Sequence, residues 1–193
     1  MPRTATATSR TASKSPAKAP SRSTSRKAAK TVLDMLADDH KKVQKMFRQF
    51  EKMRDDMAAK QELVEKCCAE LTVHAQLEEE LFYPALRDSI KQVDLLLEAQ
   101  VEHDSAKQLI EELSSMRPDD ELYDAKFTVL GEYVKHHIEE EEKQIFPKAK
   151  RAGLDLEAMA EEAQERKLEM QEEMGIAPEQ KTRTRTSARR SIH

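Results

Sequence analysis

His40, His74, Glu78, His103, His137 and Glu141 are the residues of this chain whose types and spacing can do chemistry. The stretch HAQLEEELFYP (74–84) realigns with HIEEEEKQIFP (137–147) at an offset of 63. The same offset takes His40 to His103, Glu78 to Glu141 and Pro84 to Pro147. Each copy therefore offers one His and, 34 residues later, a His-x-x-x-Glu. Imidazole nitrogen and carboxylate oxygen without thiolate suit Fe, Mn or Zn better than Cu(I), Mg or Ca. Two carboxylates can bridge two such ions, each then holding two imidazoles, one pair per copy. Helical-bundle cores that aim carboxylates and imidazoles inward are one way to hold two irons.

Only helices place these residues together. At about 100° per residue, His74 and Glu78 lie about 40° apart, one turn from each other. Leu71 and Leu81 share their side of the wheel, and Leu130 and Val134 flank His137 and Glu141. His40 shares a face with Leu33, Leu36 and Phe47, and His103 with Leu96, Ala99 and Ile110. A single His on an apolar face is ordinarily a satisfied core residue. Two ionised carboxylates in a core are costly unless paired or bound to metal, and no Lys or Arg repeats alongside both. Four His and two Glu related by one offset favour a metal site over an empty bundle whose histidines are satisfied by the neighbouring glutamates.

The composition agrees with helices. The 193 residues include 3 Gly, 7 Pro and 4% aromatics against 36% charged residues, too few turn-formers for a β sandwich or a βαβ protein. Apolar periodicity predicts helices over about Thr31–Met57, Lys60–Leu86 (stripe Leu63, Val64, Cys67, Leu71, Leu77, Leu81) and Lys91–Met116, the last ended by Arg117–Pro118. A fourth runs from an N-cap near Asp119 or Asp120 to about Lys150, closed by Gly153. A shorter acidic helix over about Asp155–Met174 stops at Gly175. The predicted fold is all-α, an up-down-up-down four-helix bundle of two repeated hairpins (31–150), with an acidic C-terminal helix in 151–180.

The net charge of −4 conceals a division. Residues 1–30 hold 8 and residues 181–193 hold 5 of the 33 Lys and Arg, with no acid; the 20 that remain face 37 acids, a body of net charge −17. Both ends are too poor in apolar residues to offset the entropy of ordering and are predicted to be disordered. Acid-free basic segments attract nucleic acid weakly by neutralising phosphates. The N-terminal one also has the composition of a transit peptide, interrupted by Pro16 and Pro20. A third use is to solubilise the acidic body.

On these motifs the chain resembles the hemerythrin-like family, the HHE cation-binding domains. The resemblance covers about residues 31–150 and rests on His40, His74-x-x-x-Glu78 with Pro84, His103, and His137-x-x-x-Glu141 with Pro147. It implies a non-haem di-iron centre with Glu78 and Glu141 bridging and open coordination for dioxygen, peroxide or nitric oxide. The implied role is gas or peroxide sensing or turnover, or iron handling; the alternative is an iron-sequestering, DNA-associated stress protein. Oxygen-carrying hemerythrins place a second His one turn after the third-helix His, where this chain has Lys107 (Gln44 in the other copy), so the site is more symmetric and reversible oxygen carriage is not expected. The Lys107 ammonium can bond a metal-bound anion or, as the simpler expectation, snorkel away.

The remaining polar residues read as scaffold. His136 lies about 100° off the ligand face and is expected at the surface. Glu79, Glu80, Glu139, Glu140 and Glu142 read as a solvated acidic face or a cation entry path. Tyr83 and Tyr133 read by default as packing residues, with hydrogen bonds to the ligand side chains as their functional alternative. Adjacent Cys67 and Cys68 fit no disulfide framework, which points to a reducing, cytoplasmic setting. No apolar run reaches the roughly 18 residues of a membrane span.

Overall fold

The computed structural model describes residues 29–53, 56–91 and 93–176. The basic ends, on which the disorder and nucleic-acid expectations fall, lie outside those residues apart from 29 and 30. The described residues form five helices. Helix α1 is Val32–Phe50. Helix α2 (57–89) runs as Met57–Leu77, a π-helical turn Glu78–Phe82, and Tyr83–Ser89. Helix α3 is Asp94–Ser114. Helix α4 (123–149) repeats the pattern of α2 as Tyr123–Glu140, a π-helical turn Glu141–Ile145, and Phe146–Ala149. Helix α5 is Leu156–Glu173.

Local chemistry sets these boundaries. Thr31 and Asp34 form a capping box: the Thr31 hydroxyl accepts from the Asp34 N–H at 3.2 Å, and the Asp34 carboxylate accepts from the Thr31 N–H at 2.9 Å. Asp56 and Asp155 cap α2 and α5 in the same sense, each accepting a backbone N–H at 3.0 Å. The fourth helix starts later than the sequence pattern predicts. Asp120 accepts from the Arg117 N–H at 2.7 Å and so closes the turn around Pro118 instead of capping a helix. Gly175 has φ +69°, and the Ile176 N–H reaches the Gln171 carbonyl at 2.8 Å, a left-handed stop of the expected kind; Gly153, at φ +77°, follows α4.

Hairpins α1–α2 and α3–α4 pack internally, α1–α4 and α2–α3 contacts close the bundle, and α5 lies against α1 and α2. The apolar core is split. One block joins Leu33, Leu36, Leu77, Phe82 and Leu86 to Ala160, Ala163 and Met170 of α5. The other holds Val43, Phe50, Cys67, Leu71, Phe127 and Leu130. The His and Glu residues lie between the blocks along all four bundle helices.

The π-helical turns correct the wheel. Each begins at the Glu of a His-x-x-x-Glu and closes with an i→i−5 bond, Tyr83 N–H to the Glu78 carbonyl and Phe146 N–H to the Glu141 carbonyl. Pro84 and Pro147 follow at once; a proline ring in a regular helix meets the carbonyl four residues back, and the wider turn relieves that. One added residue rotates everything after it by about 100°. Phe82 therefore fills the core where the stripe predicts Leu81, which is only partly buried.

Candidate metal centre

The bundle brings all six predicted ligands together. Glu78 and Glu141 are 0% exposed, and His40, His74, His103 and His137 are buried around them. His40 Nε2 and His74 Nε2 lie 3.1 Å apart, and His103 Nε2 and His137 Nε2 lie 3.2 Å apart. Glu78 spans the two pairs: Oε1 is 3.3 Å from His74 Nε2, while Oε2 is 3.3 Å from His103 Nε2 and 4.0 Å from His137 Nε2. Glu141 Oε2 is 3.2 Å from His40 Nε2. Two donor groups result, His40–His74–Glu78–Glu141 and Glu78–His103–His137, each with its atoms within 4.8 Å of one another.

Behind the imidazoles stands a second set of carboxylates. His40 Nδ1 meets Glu142 at 2.9 Å, His103 Nδ1 meets Glu79 at 2.8 Å and His137 Nδ1 meets Glu102 at 2.8 Å. A carboxylate accepts, so each Nδ1 carries the proton and each Nε2 of a neutral ring presents a bare lone pair. His103 and His137 then face each other lone pair to lone pair at 3.2 Å, an arrangement that asks for a cation. Burial and the neighbouring His137 hold His103 down, to about 4, so the ring itself does not readily become that cation. His74 is lowered mainly by burial, whereas His40, despite burial, is raised by Glu141 and Glu142. Burial, with the charge of Glu141, pushes Glu78 well above the carboxylate range; Glu141, although burial opposes it, is held low by His40. Glu78 Oε1 and Glu141 Oε2 are buried without a hydrogen bond. Unpaired carboxylate oxygens and facing imidazole lone pairs fit metal cations.

Comparison with known proteins gives the same domain. Residues 31–149 match the family described as the hemerythrin HHE cation-binding domain. The chain belongs to that family. A solved hemerythrin HHE cation-binding domain-containing protein from Mycobacterium kansasii superposes with a TM-score of 0.65 at 20% identity, over 74% of this chain and 88% of that one, which shows a shared fold. A Nostoc protein named a DNA nickase is 28% identical over 115 residues. That match takes in 60% of this chain but only 32% of the relative's length.

Several residues of this HHE domain stand elsewhere than the sequence pattern suggests. Glu79, half-buried, and Glu142, exposed as expected, both also serve in a ring of Nδ1 acceptors, on His103 and His40. Glu102 joins that ring and Asp39 stands short of it, 3.9 Å from His74 Nδ1; both are missed by a helical wheel. A signal for them exists, since the offset of 63 that relates the ligands also relates Asp39 to Glu102 and Glu79 to Glu142. Tyr83 is more than packing: its hydroxyl lies 3.3 Å from Glu141 Oε1 and 3.5 Å from Glu78 Oε2. Its counterpart at the same offset is Phe146, so only one side of the centre has a phenol. Lys107, partly exposed, pairs with Glu79 at 2.6 and 2.7 Å, on the carboxylate that also meets His103. His136 is exposed, as expected, 3.6 Å from Glu102 and 3.8 Å from Glu140. Tyr133 is exposed too, and Glu80 and Glu139 pair with Arg166 and Lys143 at the surface. Cys67 and Cys68 are free and buried, and burial pushes the Cys68 thiol up to about 12.

Above the imidazoles an apolar recess of about 40 Å³ is walled by Val43, Leu71, Ala106, Ile110, Val134 and Ile138. A water needs roughly 10–15 Å³ on that measure. The recess therefore suits a ligand of very few atoms. Among the described residues, no helix is long and apolar enough to cross a membrane.

Proposed function

We propose that this HHE domain is a non-haem di-iron protein that binds or senses dioxygen, peroxide or nitric oxide, or handles iron. His40 and His74 would hold one ion and His103 and His137 the other, with Glu78 and Glu141 as the carboxylate ligands, Glu78 facing both pairs and Glu141 facing His40. Mn or Zn satisfies the same donors. The observation that carries the reading is the facing of His103 Nε2 and His137 Nε2 at 3.2 Å with both Nδ1 atoms committed to carboxylates. Bound iron supplies redox electrons and open coordination. The chain's own residues orient the imidazoles through Glu142, Glu79 and Glu102, hold one phenolic proton at Tyr83, and keep bulk water out with the apolar walls of the recess. The size of the recess favours a diatomic gas or peroxide over an organic substrate, and turnover of peroxide or nitric oxide belongs to this reading. The test is to load the full chain with ferrous iron without air, add each ligand in turn, and follow visible absorption. Spectral change with nitric oxide, dioxygen or peroxide supports it; an iron-loaded centre inert to all three leaves iron handling.

A second reading is supported by the 13 Lys and Arg of the acid-free ends and by the relative named a DNA nickase. In it the metal is cargo and the ends contact nucleic acid. Duplex DNA should then be retarded by the full chain, with retardation fading steeply between about 50 and 200 mM salt. A variant with those Lys and Arg changed to Gln should not retard it. Equal retardation by both chains counts against this reading.

A further inference from the structure

The Nδ1 acceptors of the four imidazoles are not equivalent. Three accept at 2.8–2.9 Å, but Asp39 stands 3.9 Å from His74 Nδ1, which is buried with no hydrogen bond. Its repeat counterpart Glu102 does reach His137, at 2.8 Å. Two features keep Asp39 back. It is one methylene shorter than Glu102. It also faces Lys167 of α5, whose ammonium lies 2.5 Å from both carboxylate oxygens. Both side chains of that pair are only 13% exposed. In so dry a place a charged donor outcompetes a neutral imidazole N–H for the same carboxylate.

We propose that Lys167 is a positioning residue through which α5 makes the two donor groups unequal, by holding Asp39 on its ammonium and leaving His74 without the carboxylate that each other imidazole has. This rests on the two-ion reading above. Carboxylates behind ligand imidazoles fix ring orientation and raise basicity, and their loss typically weakens metal binding about 10–100-fold. The ion on His40 and His74 is accordingly held more weakly than a bond from Asp39 would make it, and α5, which lies outside the four-helix bundle, governs how weakly. A partner that lifts α5, or a modification that removes the Lys167 charge, returns Asp39 to His74 and tightens that ion.

Two readouts test this on the full chain. Loaded with cobalt(II) and mixed with excess chelator, the parent should lose metal in two phases, seen by visible absorption. Lys167→Met and Lys167→Gln should slow one of the two phases by about 10–100-fold, and Lys167→Arg should leave both as in the parent. In an Asp39→Asn background, Lys167→Met should change nothing, because the freed acceptor is gone. Neither phase slowed in both neutral variants, or the same slowing without Asp39, overturns the proposal. The second readout is the ¹⁵N–¹H spectrum of the imidazoles, with and without zinc. The parent should show three hydrogen-bonded Nδ1–H groups and Lys167→Met four; three in both overturns the proposal even if α5 has shifted. A parent that binds fewer than two metal ions defeats the two-ion reading instead, while the count of Nδ1–H bonds still decides what Lys167 does.

Discussion

Tyr83→Phe removes one oxygen atom from a site whose repeat counterpart is already Phe, so its effect is confined to hydrogen bonding. The Tyr83 ring stacks on His103 at 5.7 Å, as Phe146 stacks on His40 at 5.8 Å, which shows that the slot takes a phenyl ring without a void. Burial and then the charges of Glu78 and Glu141 push the phenol well above its ordinary range, so it stays a neutral donor. A hydrogen bond to a charged acceptor contributes about 1.5–3 kcal/mol, and the long separations of 3.3 and 3.5 Å place this one at or below the bottom of that range, about 1–1.5 kcal/mol. That contribution is largest when metal is removed, because a metal ion satisfies the same carboxylate lone pairs. For a chain of this size about 1 kcal/mol corresponds to roughly 2–4 °C in Tm. Metal-free Tyr83→Phe should therefore melt about 2–6 °C below the metal-free parent, with a smaller gap between the loaded forms. Differential scanning calorimetry on all four samples measures both gaps. A loss confined to the loaded form, or none in either, refutes the reasoning and leaves the hydroxyl without a role at Glu78 and Glu141.

Other consequences concern pH, packing and the carboxylates behind the ligands. Glu78 has a raised folded-state pKa, so the metal-free chain loses stability from this group as pH rises above about 4.5, while metal binding strengthens as protons leave Glu78 and the histidines. The Tm difference between loaded and metal-free chain should thus widen from pH 5 to pH 7, and a constant gap contradicts the assignment. Phe127→Ala should cost about 3–5 kcal/mol in urea unfolding, since this buried ring packs against Phe50 at 4.6 Å and Phe47 at 4.9 Å. Glu102→Gln should weaken one of the two metal ions about 10–100-fold in chelator competition, whereas His136→Ala, on the exposed neighbour, should leave both affinities as they are.

The fold and the six inward residues are legible in the sequence because both follow from period. Leu33, Leu36 and His40 recur at helical spacing, and one offset of 63 relates the six His and Glu residues. The wheel fails at two kinds of place. After Glu78 and Glu141 an added residue turns the helix, and the sign of it is Pro84 and Pro147, which a simple periodicity passes over. Glu79 next to Glu78 looks solvated because a wheel knows only its own helix. Its partner His103 comes from another helix and gives that carboxylate a reason to turn inward, while Glu142 reaches His40 from an exposed position. Asp39 is harder still, since its position depends on Lys167, 128 residues away on a helix with no counterpart in the repeat.

The central claim is that Glu78 serves both imidazole pairs, and the most direct test is the number of iron ions per chain in Glu78→Gln, measured by elemental analysis beside the parent and His136→Ala. The full chain purified from iron-replete cells should hold about two irons, and His136→Ala the same. Glu78→Gln replaces the shared carboxylate by an amide whose one neutral oxygen can serve one group and not both, so it should retain fewer than two irons while still folding as a helical bundle. Two irons retained in Glu78→Gln would contradict the shared-carboxylate centre.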